Sequence, residues 1–322
     1  MTKLFKPLIS WWRLYKKTKN FRFAYKMLPN VFTPPLNTTP QIKNGKITFV
    51  NTQTTFTKRQ VSLFGEHGEL LLKFIKSKNI FFTQPGNDAE IIAVRLNGKD
   101  LRLHANSYDN LKVIEEIFID QLYDFQSKGE FVVCDVGMNV AAATLYFASF
   151  DNVEQIYGYE PFPQTFALAE KNIRLNEEVK NKIHVFNFGL GEKDLTLEVP
   201  HPEDGFLGGT TTGFMISELP GNLKTKKIKV EIKDIRTELT QIKKNHPGKK
   251  IILKLDCEGA EYEIIEALRQ ISMIADIDIY MIEYHFKGKK SIADVLVENN
   301  FIVMSPGSED VNPFGMLYAI KK

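Results

Sequence analysis

Phe131-Val132-Val133-Cys134-Asp135-Val136-Gly137-Met138-Asn139 decides the fold. An apolar run ends in an acid and a glycine turn, a helix-like stretch follows, and a second apolar run closes at Tyr159-Glu160-Pro161. Strand, helix and strand within about thirty residues make a βαβ unit with parallel strands. Ligands of such sheets bind outside the carboxyl ends of the strands, so the turn at Asp135, Gly137 and Asn139 and the carboxylate of Glu160 face one ligand. Each piece has a plainer reading, since a single glycine after a strand is a common turn and a strand-ending Glu is commonly solvated. Together in one βαβ frame they point to a nucleotide-like ligand.

Glu160 lies 25 residues beyond Asp135, near the spacing from which a second-strand acid accepts bonds from ribose hydroxyls. A dinucleotide such as NAD is disfavoured, because its pyrophosphate needs two or three glycines for close backbone approach and only Gly137 precedes Ala141. A ribose-bearing ligand without phosphates fits better, and S-adenosylmethionine is one.

Ile251-Ile252-Leu253-Lys254-Leu255 reads as a buried strand, followed at once by Asp256-Cys257-Glu258-Gly259-Ala260-Glu261 and by a helical pattern at Tyr262, Ile265 and Leu268. Three carboxylates at one strand's carboxyl end form a polar cluster. A further strand, Ile277 to Ile282, runs into Glu283-Tyr284-His285. The chemistry is expected between these two strand ends.

On these residues the chain resembles the FkbM-type S-adenosylmethionine-dependent methyltransferases. The motifs are the Asp-Val-Gly-x-Asn turn at 135–139, Tyr159-Glu160-Pro161, Asn187 to Gly191, the string Leu253 to Glu261, and Ile282-Glu283-Tyr284-His285. They cover roughly residues 109–320. The resemblance implies an α/β fold, a Rossmann-like class I methyltransferase sheet that is mostly parallel with an antiparallel last strand at Met316–Ile320. It implies S-adenosylmethionine held by Asp135, Gly137, Asn139, Glu160 and Asn187. The family pattern has Ala and Gly where this chain has Met138 and Ala141, a departure at the methionine end of the cofactor.

A sulfonium methyl is already activated, so the protein must align an acceptor and remove its proton. Asp256, Glu258 and His285 are the catalytic candidates, histidine being the commonest such base with an ordinary pKa of about 6.5. Asp256 alternatively orients that histidine or binds a sugar hydroxyl. The cluster is read as metal-free, with Mg2+ on Asp256 and Glu283 or His285 as the less favoured alternative. An O-methyltransferase acting on a sugar hydroxyl of a surface polysaccharide or glycosylated metabolite is expected, the sugar following from the resemblance alone. The competing class is a non-catalytic, membrane-associated binding or assembly protein with a degenerate methyltransferase fold. Amine acceptors are disfavoured because the strand ending at Leu255 lacks an Asn/Asp-Pro-Pro-aromatic turn.

The 322 residues, 43% hydrophobic and 25% charged, suffice for one large domain and an appendage. The pattern divides them into a basic amphipathic helix at 1–30, an N-terminal α+β extension at 31–108 and a methyltransferase domain at 109–322. No apolar stretch approaches the roughly 18 residues of a membrane span. Cys134 and Cys257 are read as small apolar residues in a reducing cytosol. Residues 1–65 contain twelve Lys and Arg and no acid, so they carry +12 against −9 for the rest. Leu4, Leu8, Trp11, Trp12 and Tyr15 share one helical face among these cations. Such a helix either lies on an anionic membrane, placing a cytoplasmic protein at the membrane's inner face, or packs on protein. Trp11-Trp12-Arg13 interrupts any signal-peptide core. Nucleic-acid binding is not expected, because no recognised module accompanies the charge.

Elsewhere Pro34-Pro35 and Pro40 mark a linker, and strands are expected near 46–50 and 80–83 around a helix at 66–78. Ile91–Leu96 and Lys99–His104 flank Asn97-Gly98, a hairpin signature. A helix is predicted over 111–125, a strand pair at 194–199 and 226–232, and helices near 164–176, 235–244, 260–270 and 289–299. The Gly- and Thr-rich stretch 200–222 reads either as a lid or as an insertion.

Overall fold

The computed structural model describes residues 40–43, 46–49, 54–65, 67–83, 90–125, 127–202, 225–306 and 312–322. The basic segment 1–30, the Pro34-Pro35 linker and most of the Gly/Thr-rich loop lie outside them. Two compact units make up the chain, one ending at Leu122 and the other spanning Tyr123–Lys322.

In the first unit, β1 (Pro40–Lys43), β2 (Lys46–Phe49) and β3 (Thr54–Thr57) form an antiparallel meander. Pro40, expected in a linker, opens a strand instead. Helix α1 (Lys58–Leu63) starts on a reciprocal cap: Gln60 N–H donates to Thr57 Oγ1 and Thr57 N–H donates to Gln60 Oε1, at 3.1 and 2.8 Å. Helix α2 (Gly68–Lys76) precedes a sheet of β4 (Ile80–Phe82), β5 (Ile91–Leu96) and β6 (Lys99–His104). Asn97 and Gly98 take φ of +50° and +77°, the pair of positive values that a two-residue type I′ hairpin requires. The helix expected to reach residue 125 is shorter. Helix α3 (Tyr108–Ile114) widens into a π turn over Glu115–Ile119, where buried Glu115 pairs with Lys73 and Lys112. At Gln121 the backbone reverses to φ +55°, which ends the helical path.

The second unit holds β7 (Phe131–Val136), α4 (Ala142–Ala148), β8 (Val153–Tyr159), α5 (Pro163–Arg174), β9 (Ile183–Phe186), β10 (Gly189–Gly191), β11 (Leu195–Pro202) and β12 (Thr225–Asp234). After them come α6 (Ile235–Asn245), β13 (Lys250–Leu255), α7 (Glu261–Gln270), β14 (Ile279–Tyr284), α8 (Lys290–Glu298), β15 (Phe301–Met304) and β16 (Gly315–Lys321). Seven strands pair in the order β15-β16-β14-β13-β7-β8-β9, parallel except for β16. This is the Rossmann-like class I methyltransferase sheet, its antiparallel strand where the sequence places it. A smaller sheet joins β10, β12 and β11. The strand expected at 277–282 begins two residues later, because Asp278 brackets Ile251 through its own N–H and carboxylate before the ladder starts.

All six residues of β7 are buried, as a parallel strand covered on both faces demands, which is why its sequence reads as a continuous apolar run. One apolar cluster packs α6, α7 and α8 with Val132, Leu253, Ile282 and Leu317. Another joins Met138, Ala141, Ala169 and Ile173. Among the described residues no helix is long and apolar enough to cross a membrane.

Candidate functional site

β7 lies between β8 and β13, and the chain leaves it toward β8 before returning to β13. That junction is where open α/β sheets leave a crevice at their strands' carboxyl ends. A cleft opens there, about 680 Å³ including space open to solvent. Its lining comes from the ends of β7 (Gly137, Asn139), β8 (Glu160, Pro161, Phe162) and β13 (Asp256, Cys257, Glu258), with Leu190 and Ile232 of the small sheet.

The turn after β7 has room for no side chain. Gly137 has φ +77°, and a Cβ there would stand 1.7 Å from the carbonyl oxygen of Asp256. The ends of β7 and β13 therefore meet backbone to backbone. Asn139 and Ala141 also take positive φ, +53° and +65°, so Ala141 occupies a conformation that glycine adopts at less cost. Met138 turns into the core, where its sulfur fills the space a Cβ on Gly158 would take, 2.5 Å from that position.

Glu160 is buried, and each carboxylate oxygen accepts a backbone hydrogen bond: Oε2 from Asn139 N–H and Oε1 from Phe162 N–H, both at 3.0 Å. Burial pushes its pKa up to about 7, against the pull of those two donors. The carboxylate thus ties the glycine turn to the start of α5 and retains lone pairs for a ligand in the cleft.

Asp135 and Asn187, the other two residues assigned to the cofactor, are not among the cleft-lining residues. Asp135, fully buried, accepts from Thr144 Oγ1 at 2.6 Å and faces Lys254 Nζ at 3.0 Å. Lys254 is itself buried and donates to Gly137 O at 2.7 Å. Burial works against its charge, yet Asp135 and Asp256 hold its pKa above the ordinary lysine value. Asn187 donates from Nδ2 to the Glu160 carbonyl at 2.9 Å. Both residues support the walls of the cleft from behind.

Beyond β13 and β14, four carboxylates surround one histidine. Glu261, fully buried at the start of α7, accepts from Cys257 N–H and Gly259 N–H, each at 2.9 Å. The same Glu261 faces His285 Nδ1 at 3.1 Å. A carboxylate can only accept, so Nδ1 carries the proton. His285 Nε2 looks toward Glu258 at 3.8 Å and Glu283 at 3.9 Å. Burial lowers the histidine's pKa, but the bond to Glu261 and the charges of Glu261, Glu258 and Asp256 outweigh it and carry it to about 9. Glu258 is pushed up, chiefly by burial. Asp256 accepts from Tyr123 O–H at 3.3 Å and lies 3.5 Å from Lys254 Nζ. Phe286 and Phe314 pack edge to face at 5.3 Å beside His285, and Phe314 is 46% exposed. Cys134 and Cys257 are free thiols.

The structure therefore brings Gly137, Asn139, Glu160, Asp256 and Glu258 to one cleft, with His285 behind Glu258. Sequence reasoning gave no role to Lys254, Thr144 or Tyr123 and took Glu261 only as one acid of the polar cluster. For Lys254 and Glu261 a signature existed, since both stand inside the Lys-x-Asp-x-Glu-Gly-Ala-Glu string; Thr144 and Tyr123 left none.

Residues 135–303 match the family model described as Methyltransferase FkbM domain. The chain is 26% identical over 182 residues to Methyltransferase 1 of Beauveria bassiana (strain ARSEF 2860), an overlap of 52% of this chain and 72% of that one. The FkbM methyltransferase structure from Methylobacillus flagellatus KT aligns at 14% identity and TM-score 0.38, covering 63% of this chain and 46% of its own. Magnesium protoporphyrin IX methyltransferase from Synechocystis PCC 6803, solved with bound S-adenosylmethionine, aligns at 14% identity and TM-score 0.31, covering 66% and 77%. At those scores the two structures add nothing to the topology above.

Proposed function

The chain belongs to the FkbM methyltransferase family, and from that premise we propose that it transfers a methyl group from S-adenosylmethionine to a sugar hydroxyl of a surface polysaccharide or glycosylated metabolite. The observation that carries the reading is one cleft lined by Glu160, suited to a ribose, and by Asp256 and Glu258, suited to a hydroxyl acceptor. The cofactor supplies an activated sulfonium methyl. Glu160 accepts from the ribose hydroxyls, while Asn139 N–H and Phe162 N–H hold its carboxylate in place. The surrounding carboxylates carry the His285 pKa up to about 9, so the better proton acceptors there are carboxylates. Glu258, raised by burial and therefore more basic than an ordinary glutamate, takes the acceptor's proton. Asp256, anchored by Tyr123 and Lys254, accepts from a neighbouring hydroxyl and fixes the ring. A carboxylate cluster beside the exposed Phe314 offers a sugar both acceptors and an apolar face.

The degenerate-fold alternative rested on Met138 and Ala141. Met138 packs away from the cleft, and Ala141 keeps the left-handed turn, so both departures are absorbed without filling the site. The basic segment 1–30 is proposed to rest on anionic membrane; its deletion should abolish sedimentation with anionic vesicles and spare cofactor binding. The functional test is incubation of the purified chain with S-adenosylmethionine carrying a labelled methyl and a panel of glycans. The expected product is a base-stable methyl ether on a sugar, read by mass spectrometry. Binding of cofactor with label found only on nitrogen or on carboxyl esters would overturn the acceptor assignment.

A further inference from the structure

We propose that Asp256, Glu283 and His285 bind one divalent cation of the Mg2+/Mn2+ class. One carboxylate oxygen from each acid and one ring nitrogen of the histidine all lie within 4.8 Å of one another. Two ligands of a single ion at about 2.1 Å stand no more than about 4.2 Å apart, so the three groups need only a small closure. The two carboxylate oxygens are donors that such ions take, and the imidazole, a donor better matched to later first-row ions, favours Mn2+ over Mg2+.

The orientation of the histidine is a separate observation pointing to the same ligand. His285 is 94% buried, being 6% exposed, and its Nδ1–H is committed to Glu261. Glu261 is fixed in turn by two backbone donors, so the ring cannot turn away. Nε2, which gives up its proton when an ion binds, therefore faces Glu283 and Glu258 at 3.9 and 3.8 Å, too long for hydrogen bonds. A carboxylate that fixes the far nitrogen of a histidine is the support that metal-ligating histidines ordinarily have.

The ion's use in methyl transfer rests on the function proposed above; its binding does not. Held there, the cation would take the acceptor hydroxyl as a ligand and ease loss of its proton. That proton passes to Glu258, the oxygen lone pair forms the new O–CH3 bond, and the S–CH3 bonding pair returns to sulfur, leaving S-adenosylhomocysteine.

The test is calorimetric titration of Mn2+ into the full-length chain after treatment with chelator, with S-adenosylhomocysteine binding measured on the same samples. One ion per chain is expected. Glu283→Gln should weaken Mn2+ by roughly tenfold or more and leave S-adenosylhomocysteine binding unchanged. Should that variant lose S-adenosylhomocysteine as well, Asp256→Asn takes its place, read by Mn2+ affinity alone with folding checked by circular dichroism. Absence of saturable binding of Mn2+, Mg2+ and Zn2+, or Mn2+ affinity unchanged in both variants, would overturn the proposal. Manganese binding without S-adenosylhomocysteine binding would instead retain the ion site and remove the methyltransferase reading.

Discussion

The two sides of the cleft are built on opposite principles. On the β7 and β8 side the polar groups are held by near neighbours: Glu160 by two backbone donors, Asp135 by Thr144 and Lys254, Asn187 by a carbonyl. On the β13 and β14 side, Glu261 holds His285 Nδ1 at 3.1 Å while Glu258 and Glu283 stand 3.8 and 3.9 Å from Nε2. A satisfied, buried network is rigid, and suits a ligand that never changes. A crowded set of like charges beside an exposed aromatic ring suits a ligand supplied from outside. The proposal gives the first side to the cofactor and the second to the acceptor.

If that division holds, Glu258→Gln should lower turnover by about 10² to 10⁴, the usual worth of a positioned base. Cofactor affinity should stay unchanged in calorimetry, and a parallel loss of both would merge the two sides. On the cofactor side Gly137→Ala should cost about 3 kcal/mol of stability in denaturant melts. Its Cβ collides with a backbone carbonyl that cannot swing aside, and φ +77° adds strain. A loss below about 1 kcal/mol would mean that the turn is looser than its geometry indicates.

The β7 and β8 side of the cleft was legible from the sequence where the determinant is local. The Asn97-Gly98 hairpin of the first unit was placed residue for residue for the same reason, its turn chemistry being contained in two residues. Gly137, Asn139 and Glu160 line the cleft because a βαβ unit brings its own turn and strand end together. Asp135 and Asn187 stand behind it, for reasons that only strand pairing shows: Lys254 sits opposite Asp135 across β13 and β7, a neighbour invisible along the chain. The meander of β1 to β3 went largely unread because Thr54–Thr57 offers a single buried position, Phe56, and so no usable alternation. The π turn at Glu115 likewise depends on Lys73, which belongs to a different helix. On the acceptor side the acids were readable as a cluster, but the histidine's protonation was not. Its ordinary pKa of about 6.5 gives way to about 9 once Glu261, Glu258 and Asp256 close in.

Smaller effects sharpen the cofactor side. Glu160 has its pKa raised to about 7 in the folded protein, and ribose hydroxyls favour its ionised form. Binding of S-adenosylmethionine should therefore release protons near neutrality. Affinity should rise by up to about tenfold between about pH 6 and about pH 8 and then level, the group being protonated at the low end. Calorimetry in buffers of different ionisation enthalpy reads this directly, and proton uptake would reverse the assignment. Ala141→Gly should gain less than about 1 kcal/mol, the relief of φ +65° being offset in part by loss of a buried methyl. Destabilisation beyond about 1 kcal/mol would show that the methyl's packing outweighs the strain.

The most direct measurement of the division is a crystal structure of the chain with S-adenosylhomocysteine. The account predicts both ribose hydroxyls within about 2.5 to 3.0 Å of the Glu160 carboxylate, with the sulfur directed toward Asp256 and Glu258. A nucleoside bound against Glu258 and His285, or a Glu160 carboxylate left untouched by the ribose, would contradict it.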